Sequence, residues 1–131
     1  MVQIVANDET RAEYAVNFFL SEAAFAQDKA LYHDASRPMG KFLPRLHSMH
    51  EQGQLKDKRR HALPSCIIME RGVALDVWVA EAGGRLDTVG CLQVLSHVAD
   101  RVLDLHAAGY VHRDLKPYNI CLLYTSPSPR D

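Results

Sequence analysis

The strongest constraint on this chain is the octapeptide His-Arg-Asp-Leu-Lys-Pro-Tyr-Asn at residues 112–119. It places a carboxylate at Asp114, a cation two residues later at Lys116 and an amide at Asn119. A carboxylate can accept or orient a proton, and an amide oxygen is a ligand that Mg²⁺ favours. Any one of these residues alone would be interpreted as a solvated polar side chain, so the inference depends on the whole string.

Residues 106–120 as a whole resemble the catalytic loop of the protein kinase family. The resemblance implies transfer of the γ-phosphoryl group of ATP to a hydroxyl, with ATP and Mg²⁺ as cofactors. Asp114 would then accept or orient the proton of the attacking hydroxyl, Lys116 would bring a cation near the transferred phosphoryl group, and Asn119 would bind Mg²⁺. Lys116 at this position resembles the serine/threonine branch of the family, which implies a protein substrate.

The same resemblance gives His112 and Arg113 supporting roles. His112 is expected to pack beneath the loop, and Arg113 is expected to orient it. Small-molecule phosphotransferases of the same architecture are a weaker alternative. They usually carry a different residue after the loop histidine, and they lack the Leu-Lys-Pro run that follows Asp114 here.

A long helix is predicted immediately before this loop. Asp87 or Thr88 is a candidate N-cap, and Gly109 is a candidate C-terminal stop. Between them, apolar residues and one histidine recur at intervals of three and four, the period of a helix face that is buried in a core. These positions are Leu92, Leu95, Val98, Ala99, Val102, Leu103 and His106. In a chain with only part of that core, we expect the stripe to be exposed.

The N-terminal half is predicted to form strands and one helix. Residues 2–5 and 13–19 read as extended segments separated by a polar turn, which is typical of a hairpin. Ser21 is a candidate N-cap of a helix over residues 22–32. Two further strands are predicted at residues 42–50 and 65–72. By resemblance we expect an α+β, protein-kinase-like fold: a partial small antiparallel-sheet lobe with one helix, then the first helices and catalytic loop of the helical lobe.

The predicted boundaries are residues 1–80 for the partial small lobe and hinge, 81–120 for the start of the large lobe and 121–131 for a tail of different origin. The tail Cys-Leu-Leu-Tyr-Thr-Ser-Pro-Ser-Pro-Arg-Asp can be written, codon by codon, as a transposon end joined to a sequencing-library adapter. We therefore expect it to be translated adapter and native sequence to stop near Ile120. A genuine Ser/Pro-rich tail or a linker is the alternative.

Two positions in the N-terminal half bear on catalysis. The third small-lobe strand of kinases carries a lysine that pairs with the phosphates of ATP, and Asn17 stands at the corresponding place. An uncharged amide cannot replace an ammonium against phosphate charge. The helix carboxylate that would pair with this lysine corresponds to Asp28, with Glu22 as the alternative. Because of Asn17, a pseudokinase that acts as a binding or regulatory module is the alternative to an active kinase.

The predicted strand at residues 65–72 resembles the fifth strand and hinge of a kinase. This implies that Met69 lies at the back of an adenine pocket and that main-chain groups of Glu70 and Gly72 meet the adenine edge. Without the resemblance, residues 67–69 are simply apolar core positions. The Gly-rich loop and the Asp-Phe-Gly motif of the family do not occur in the 131 residues, so we expect this chain by itself to be inactive.

Residues 52–61 form a charged turn between two predicted strands. It contains Lys56, Lys58, Arg59 and Arg60. The simpler interpretation is a solvated loop, and the alternative is a basic docking patch.

Composition limits the partners and the compartment. A hydrophobic content of 47% is typical of a globular core, and a net charge of −1 gives no field that attracts nucleic acid or an anionic membrane. Cys66, Cys91 and Cys121 have no metal-ligand spacing, and Cys121 lies in the predicted adapter tail. The other two, scattered in the sequence, suit a reducing, intracellular setting. No apolar run approaches the length of a membrane span. We expect a cytoplasmic protein, with the nucleus as the alternative, and no nucleic-acid or membrane partner; the oligomeric state is open.

Overall fold

The computed structural model describes residues 2–6, 9–10, 12–34 and 43–123. Predictions that fall on residues 7, 8 and 11 of the first turn, on Phe42 and on residues 124–131 of the tail lie outside the described residues. The chain divides into two compact units, Met1–Arg71 and Gly72–Asp131.

The first unit contains a four-stranded antiparallel sheet. Its strands are β1 (Val2–Ala6), β2 (Glu13–Phe18), β3 (Leu46–His50) and β4 (Cys66–Glu70), in the order β1-β2-β4-β3. The predicted hairpin is confirmed, since β1 and β2 pair antiparallel with Val5 opposite Tyr14. β2 and β4 are the central strands and supply the buried residues Val16 and Ile67, whereas every residue of the edge strand β1 is exposed. The sheet therefore buries its middle and leaves one edge to solvent.

Helix α1 (Glu22–His33) packs on this sheet through a small aromatic core. Ser21 is its N-cap, as predicted, and the Oγ of Ser21 accepts the N–H of Ala24 at 3.4 Å. Phe25 meets Phe19 edge to face with ring centroids 5.6 Å apart, and Ile67 from β4 completes the cluster. Burial of each such side chain contributes about 2 kcal/mol, so this cluster holds the helix against the sheet.

The second unit is built from short strands and two α-helices. In chain order it contains β5 (Gly72–Ala74), α2 (Leu75–Glu81), α3 (Thr88–Ala107), a 3₁₀ helix (Pro117–Asn119) and β6 (Cys121–Leu123). β5 pairs antiparallel with β6, and a Cβ at Gly72 would lie 3.0 Å from the Cδ2 of Leu123. Because the segment after Arg71 pairs with the segment after the 3₁₀ helix, it belongs to the second unit. The predicted lobe boundary between residues 80 and 81 comes later and stays a prediction.

β6 uses the first three residues of the predicted adapter tail. Three apolar residues suit a partly buried strand whatever their origin, so the interpretation of the tail as adapter also stays a prediction.

Helix α3 begins where the sequence predicts and exposes most of its apolar stripe. Asp87 is the N-cap, and its Oδ1 accepts the N–H of Gly90 at 2.7 Å. Leu92, Leu95 and Leu103 are 62%, 62% and 65% exposed. The expected exposure of the stripe is thereby confirmed.

An antiparallel sheet of four strands together with three α-helices confirms the α+β class for the described residues. This architecture is compatible with a partial small lobe but is not specific to one family. None of the helices in these parts of the chain combines the length and the apolar character needed to cross a membrane.

Candidate functional site

The end of helix α3 fixes the start of the polar loop. Gly109 has a φ of 84° and donates its N–H to the carbonyl of His106 at 2.8 Å, while Tyr110 donates to the carbonyl of Leu105 at 3.1 Å. These two bonds form a Schellman motif, whose left-handed position favours glycine. The predicted stop at Gly109 is confirmed, and the chain leaves the helix in a defined direction.

The first turn of the loop is bent at Arg113. This residue has a φ of 67°, in the left-handed region that most side chains avoid. Across the bend, the N–H of Asp114 donates to the Nδ1 of His112 at 3.3 Å. His112 is exposed, so the expectation that it packs beneath the loop is wrong. Its Nδ1 accepts a hydrogen bond from the loop's own backbone instead.

Asp114 is the centre of the candidate site. Its Oδ2 accepts a hydrogen bond from the Nδ2 of Asn119 at 2.8 Å and lies 3.1 Å from the Nζ of Lys116. The Nδ2 of Asn119 also donates to the backbone carbonyl of Asp114 at 2.8 Å. Among the described residues, the Oδ1 of Asp114 has no hydrogen-bond partner. The structure thus brings together the three side chains that the sequence indicates, and all three are exposed.

These neighbours favour the ionised form of Asp114. The hydrogen bond from Lys116, followed by that from Asn119, holds the pKa of the Asp114 carboxyl below its usual range. At neutral pH the side chain is therefore a carboxylate with one oxygen engaged and one open to solvent. Such a group can accept a proton or a hydrogen bond from an approaching hydroxyl.

The far end of the loop is anchored within the same unit. Pro117 opens the 3₁₀ helix at a position where its missing N–H leaves no bond unmade, and Asn119 donates its N–H to the carbonyl of Lys116 at 2.9 Å. The carbonyl of Ile120 then accepts the N–H of Leu75, the first residue of α2, at 2.8 Å. With α3 at one end and the β5–α2 segment at the other, the loop is held at both ends.

Asn119 fits the expected role of a Mg²⁺ ligand. Its Nδ2 donates twice to Asp114, which leaves the amide oxygen Oδ1 without a partner among the described residues. Mg²⁺ prefers oxygen and is usually bound through one or two protein oxygens, with phosphate oxygens and water completing its shell. The described residues hold no group of three or more His, Cys, Asp or Glu that could bind a metal by themselves. Any Mg²⁺ bound at Asn119 would therefore need phosphate or water ligands as well.

The strand and helix positions of the first unit do not form a comparable group. Asn17 is half-buried on β2, opposite Ile67. The carboxylate of Glu22 accepts a hydrogen bond from the hydroxyl of the fully buried Ser65 at 2.7 Å. Burial raises the pKa of Asp28, the other predicted helix carboxylate. In the part of the chain that the structure describes, neither Glu22 nor Asp28 forms an ion pair.

The residues predicted to meet adenine are divided between the two units. Met69 is half-buried against the core of the first unit, with the hydroxyl of Tyr32 4.0 Å from its Sδ. The N–H of Glu70 donates to the carbonyl of Arg45 at 2.9 Å, so this amide is occupied within the sheet. Gly72 belongs to the second unit and pairs with β6. A role for Met69, Glu70 and Gly72 in binding adenine stays a prediction.

Sequence reasoning missed two contacts that shape the site. The bond between Leu75 and Ile120 joins segments that are far apart in the chain, and no local signal indicates it. The bond from Asp114 to His112 spans two residues, a spacing at which side chains commonly satisfy nearby backbone groups. That spacing was the available signal.

Comparison with known proteins adds no family: no protein-family model matches the chain, and no curated protein matches it. The chemistry of the site therefore rests on its own geometry, which is an ionised carboxylate with a free oxygen, a neighbouring cation and an available amide oxygen on one anchored loop.

Proposed function

We propose that the chain is part of the catalytic domain of a protein kinase that transfers the γ-phosphoryl group of ATP to a serine or threonine hydroxyl of a protein substrate. The observation that carries the proposal is the grouping of Lys116 and Asn119 around the Oδ2 of Asp114. The resemblance of residues 106–120 to a kinase catalytic loop supplies the reaction. The α+β fold, with a sheet and helix preceding a helical unit, is compatible with it.

Each of the three side chains has a separate task in this reaction. The free Oδ1 of Asp114 accepts or orients the proton of the attacking hydroxyl. Lys116 supplies a cation beside the phosphoryl group, where negative charge is spread over the oxygens in the transition state. Asn119 would offer its Oδ1 to Mg²⁺, and the ion would supply positive charge to offset the negative charge of the phosphates of ATP. The use of Nδ2 to hold Asp114 is consistent with this division, because it leaves the oxygen available.

A loop graft tests the proposal independently of the rest of the chain. Residues 106–120 replace the catalytic loop of a serine/threonine kinase domain of established activity, and the initial rate of peptide phosphorylation is measured. We expect an active graft and an Asp114→Asn graft that is slower on the order of 10²–10⁴-fold. Asparagine has nearly the same shape and still offers an oxygen to Asn119, so it is a matched control for folding. A folded graft that binds Mg²⁺ and ATP but transfers no phosphate would contradict the proposal.

The 131-residue chain itself is expected to transfer no phosphate. Its sequence lacks the Gly-rich loop that covers the phosphates and the Asp-Phe-Gly aspartate that holds Mg²⁺, and both are needed for positioning and charge stabilisation. Transfer from labelled ATP is compared between the purified chain and its Asp114→Asn variant. Turnover above the level of the variant would show that this expectation is wrong.

Asn17 favours a second candidate function, a pseudokinase that acts as a binding or regulatory module. A neutral amide cannot anchor phosphate charge as an ammonium does. A second graft tests this, with residues 13–18 placed in the corresponding strand of the active host. If this graft is inactive and Asn17→Lys restores its activity, the pseudokinase is favoured. If the graft with Asn17 keeps the rate of the host, phosphate anchoring is not limiting and the active kinase is favoured.

A further inference from the structure

The segment between β3 and β4 folds back on itself as an exposed hairpin. Lys56 and Ala62 form an antiparallel bridge, and the N–H of Asp57 donates to the carbonyl of His61 at 3.0 Å. Residues 56–61 at the end of this hairpin are here named the basic tip. The predicted charged turn is therefore an ordered structure.

One carboxylate holds the backbone of the basic tip. The Oδ1 of Asp57 accepts the N–H groups of Arg59 and His61, each at 2.8 Å, and its Oδ2 lies 3.1 Å from the Nδ1 of His61. Arg60, with a φ of 68°, donates its N–H to the carbonyl of Asp57 at 2.9 Å. Such side-chain bonds to the backbone two or more residues ahead are how Asp orders a turn.

The four cations of the basic tip form no ion pair with any residue that the structure describes. Lys56, Lys58, Arg59 and Arg60 are all exposed. In a chain whose net charge is −1, one short turn thus concentrates positive charge. Like charges held close together repel, and a partner of opposite charge relieves that repulsion.

We propose that the basic tip is a docking surface for an acidic protein segment, a stretch rich in Asp and Glu. Guanidinium groups bind carboxylates through paired hydrogen bonds, and lysine binds them as a point charge. Because the backbone of the tip is ordered before binding, less conformational freedom is lost when a partner docks. The inference does not rest on the proposed kinase activity, since the tip belongs to the unit Met1–Arg71 and the Asp114 loop to the other.

Two other anionic partners fit the basic tip less well. Single-stranded nucleic acid is held largely by aromatic side chains on which bases stack, and residues 51–65 contain no Phe, Tyr or Trp. A membrane surface is held by apolar side chains that enter the interface as well as by charge, and none of the large exposed apolar residues lies in this segment. The carboxylates of a protein segment require neither feature.

The test measures binding of a fluorescein-labelled peptide of alternating Asp and Glu to the full chain by anisotropy. The tip variant combines Lys58→Gln, Arg59→Gln and Arg60→Asn, with asparagine at 60 because it tolerates a positive φ. The control variant removes the same charge from exposed positions elsewhere: Arg45→Gln, Arg85→Gln and Arg101→Gln. We expect the Kd to rise about tenfold in the tip variant and by at most about twofold in the control. The difference should shrink when salt is raised from about 50 mM to about 300 mM.

A second readout does not depend on any variant. Amide hydrogen exchange of the wild-type chain is expected to slow at residues 57–61 when the peptide is added. Absence of measurable binding at low salt, equal weakening in both variants or no protection at these amides would overturn the proposal. Tighter binding of a single-stranded RNA of equal length, or of vesicles containing phosphatidylserine, would also overturn it and assign the tip to those partners.

Discussion

Two exposed turns of this chain are organised by an aspartate, one around Asp57 and the other around Asp114. In both, an arginine adopts the left-handed backbone, with φ of 68° at Arg60 and 67° at Arg113. In both, the carboxylate collects several hydrogen bonds. The donors differ. Asp57 accepts hydrogen bonds chiefly from the backbone of its own turn, whereas Asp114 accepts them from a lysine side chain and an amide side chain.

The difference decides what each carboxylate can do. Both oxygens of Asp57 are engaged, so this side chain holds the turn and has little capacity for a ligand. Asp114 uses only Oδ2, and its Oδ1 has no partner among the described residues. Both side chains are exposed aspartates, although Asp114 is 66% exposed and Asp57 38%. The number of occupied oxygens separates a structural aspartate from one that can receive a proton.

The largest expected effect concerns the cation beside Asp114. In the loop graft, Lys116→Gln should slow phosphoryl transfer on the order of 10²-fold, because it removes a charge that stabilises the transition state. Asn119 still holds Asp114 in this variant, so the carboxylate keeps its position. The measurement is the initial rate at saturating ATP. Tyr118→Phe, at an exposed position in the same loop, is the matched control and should leave the rate within about twofold. Equal losses in the two variants would mean that the loop was merely disturbed.

The next effect tests the structural role of Asp57. Asp57→Ala should speed trypsin cleavage after Lys58, Arg59 and Arg60 by about tenfold, because loss of the hydrogen bonds to the carboxylate lets the tip open. The cleavage rate is followed by mass spectrometry under native conditions. Asp114→Ala is the control and should leave cleavage at the tip unchanged. If the tip of the Asp57→Ala chain is as resistant as that of the wild type, the carboxylate does not order it.

The features that sequence predicted well depend on local chemistry. Ser21 and Asp87 cap their helices because a side-chain oxygen reaches an N–H group three residues ahead, and Gly109 ends α3 because only glycine readily takes its φ of 84°. The proximity of Asp114 and Asn119 follows from a short loop with a proline between them. Each of these signals lies within a few residues of the feature it predicts.

The features that sequence did not predict depend on distant partners. The pairing of β5 with β6 and the bond from Leu75 to Ile120 each join segments separated by most of the second unit. The resemblance led us to expect that His112 is buried, and this was wrong. Burial depends on which elements cover a residue, and the motif does not contain that information. Which oxygen of a carboxylate is occupied is equally a matter of three-dimensional geometry. The motif therefore singled out Asp114 but could not show that its Oδ1 is the oxygen without a partner among the described residues.

A smaller effect tests the left-handed arginines that the two turns share. Arg60→Gly and Arg113→Gly should each raise the free energy of unfolding by less than about 1 kcal/mol, since relief of backbone strain slightly exceeds the extra entropy of a glycine in the unfolded chain. Lys58→Gly is the control at a residue without positive φ, and it should lower that free energy by about 0.5–1 kcal/mol. Urea unfolding midpoints measure all three. Destabilisation by all three substitutions would mean that the arginine conformations are not strained.

The smallest effect is the pH dependence of the Asp114 loop. Lys116 and then Asn119 lower the pKa of Asp114 in the folded chain. Their contribution to the free energy of unfolding is therefore fully present above the pKa of the unfolded chain, near pH 4, and is lost as the pH falls through the lower pKa of the folded chain. The side chain is exposed, so water limits the size of the effect. The titration of the Asp114 side-chain carboxyl by carbon NMR measures it directly. Lys116→Gln should move the midpoint up towards the ordinary range, and Arg101→Gln, which breaks a surface pair with Asp104, should leave it in place. An unmoved midpoint in the Lys116→Gln chain would mean that the lysine does not engage Oδ2 in solution, and the contrast with Asp57 would then depend on Asn119 alone.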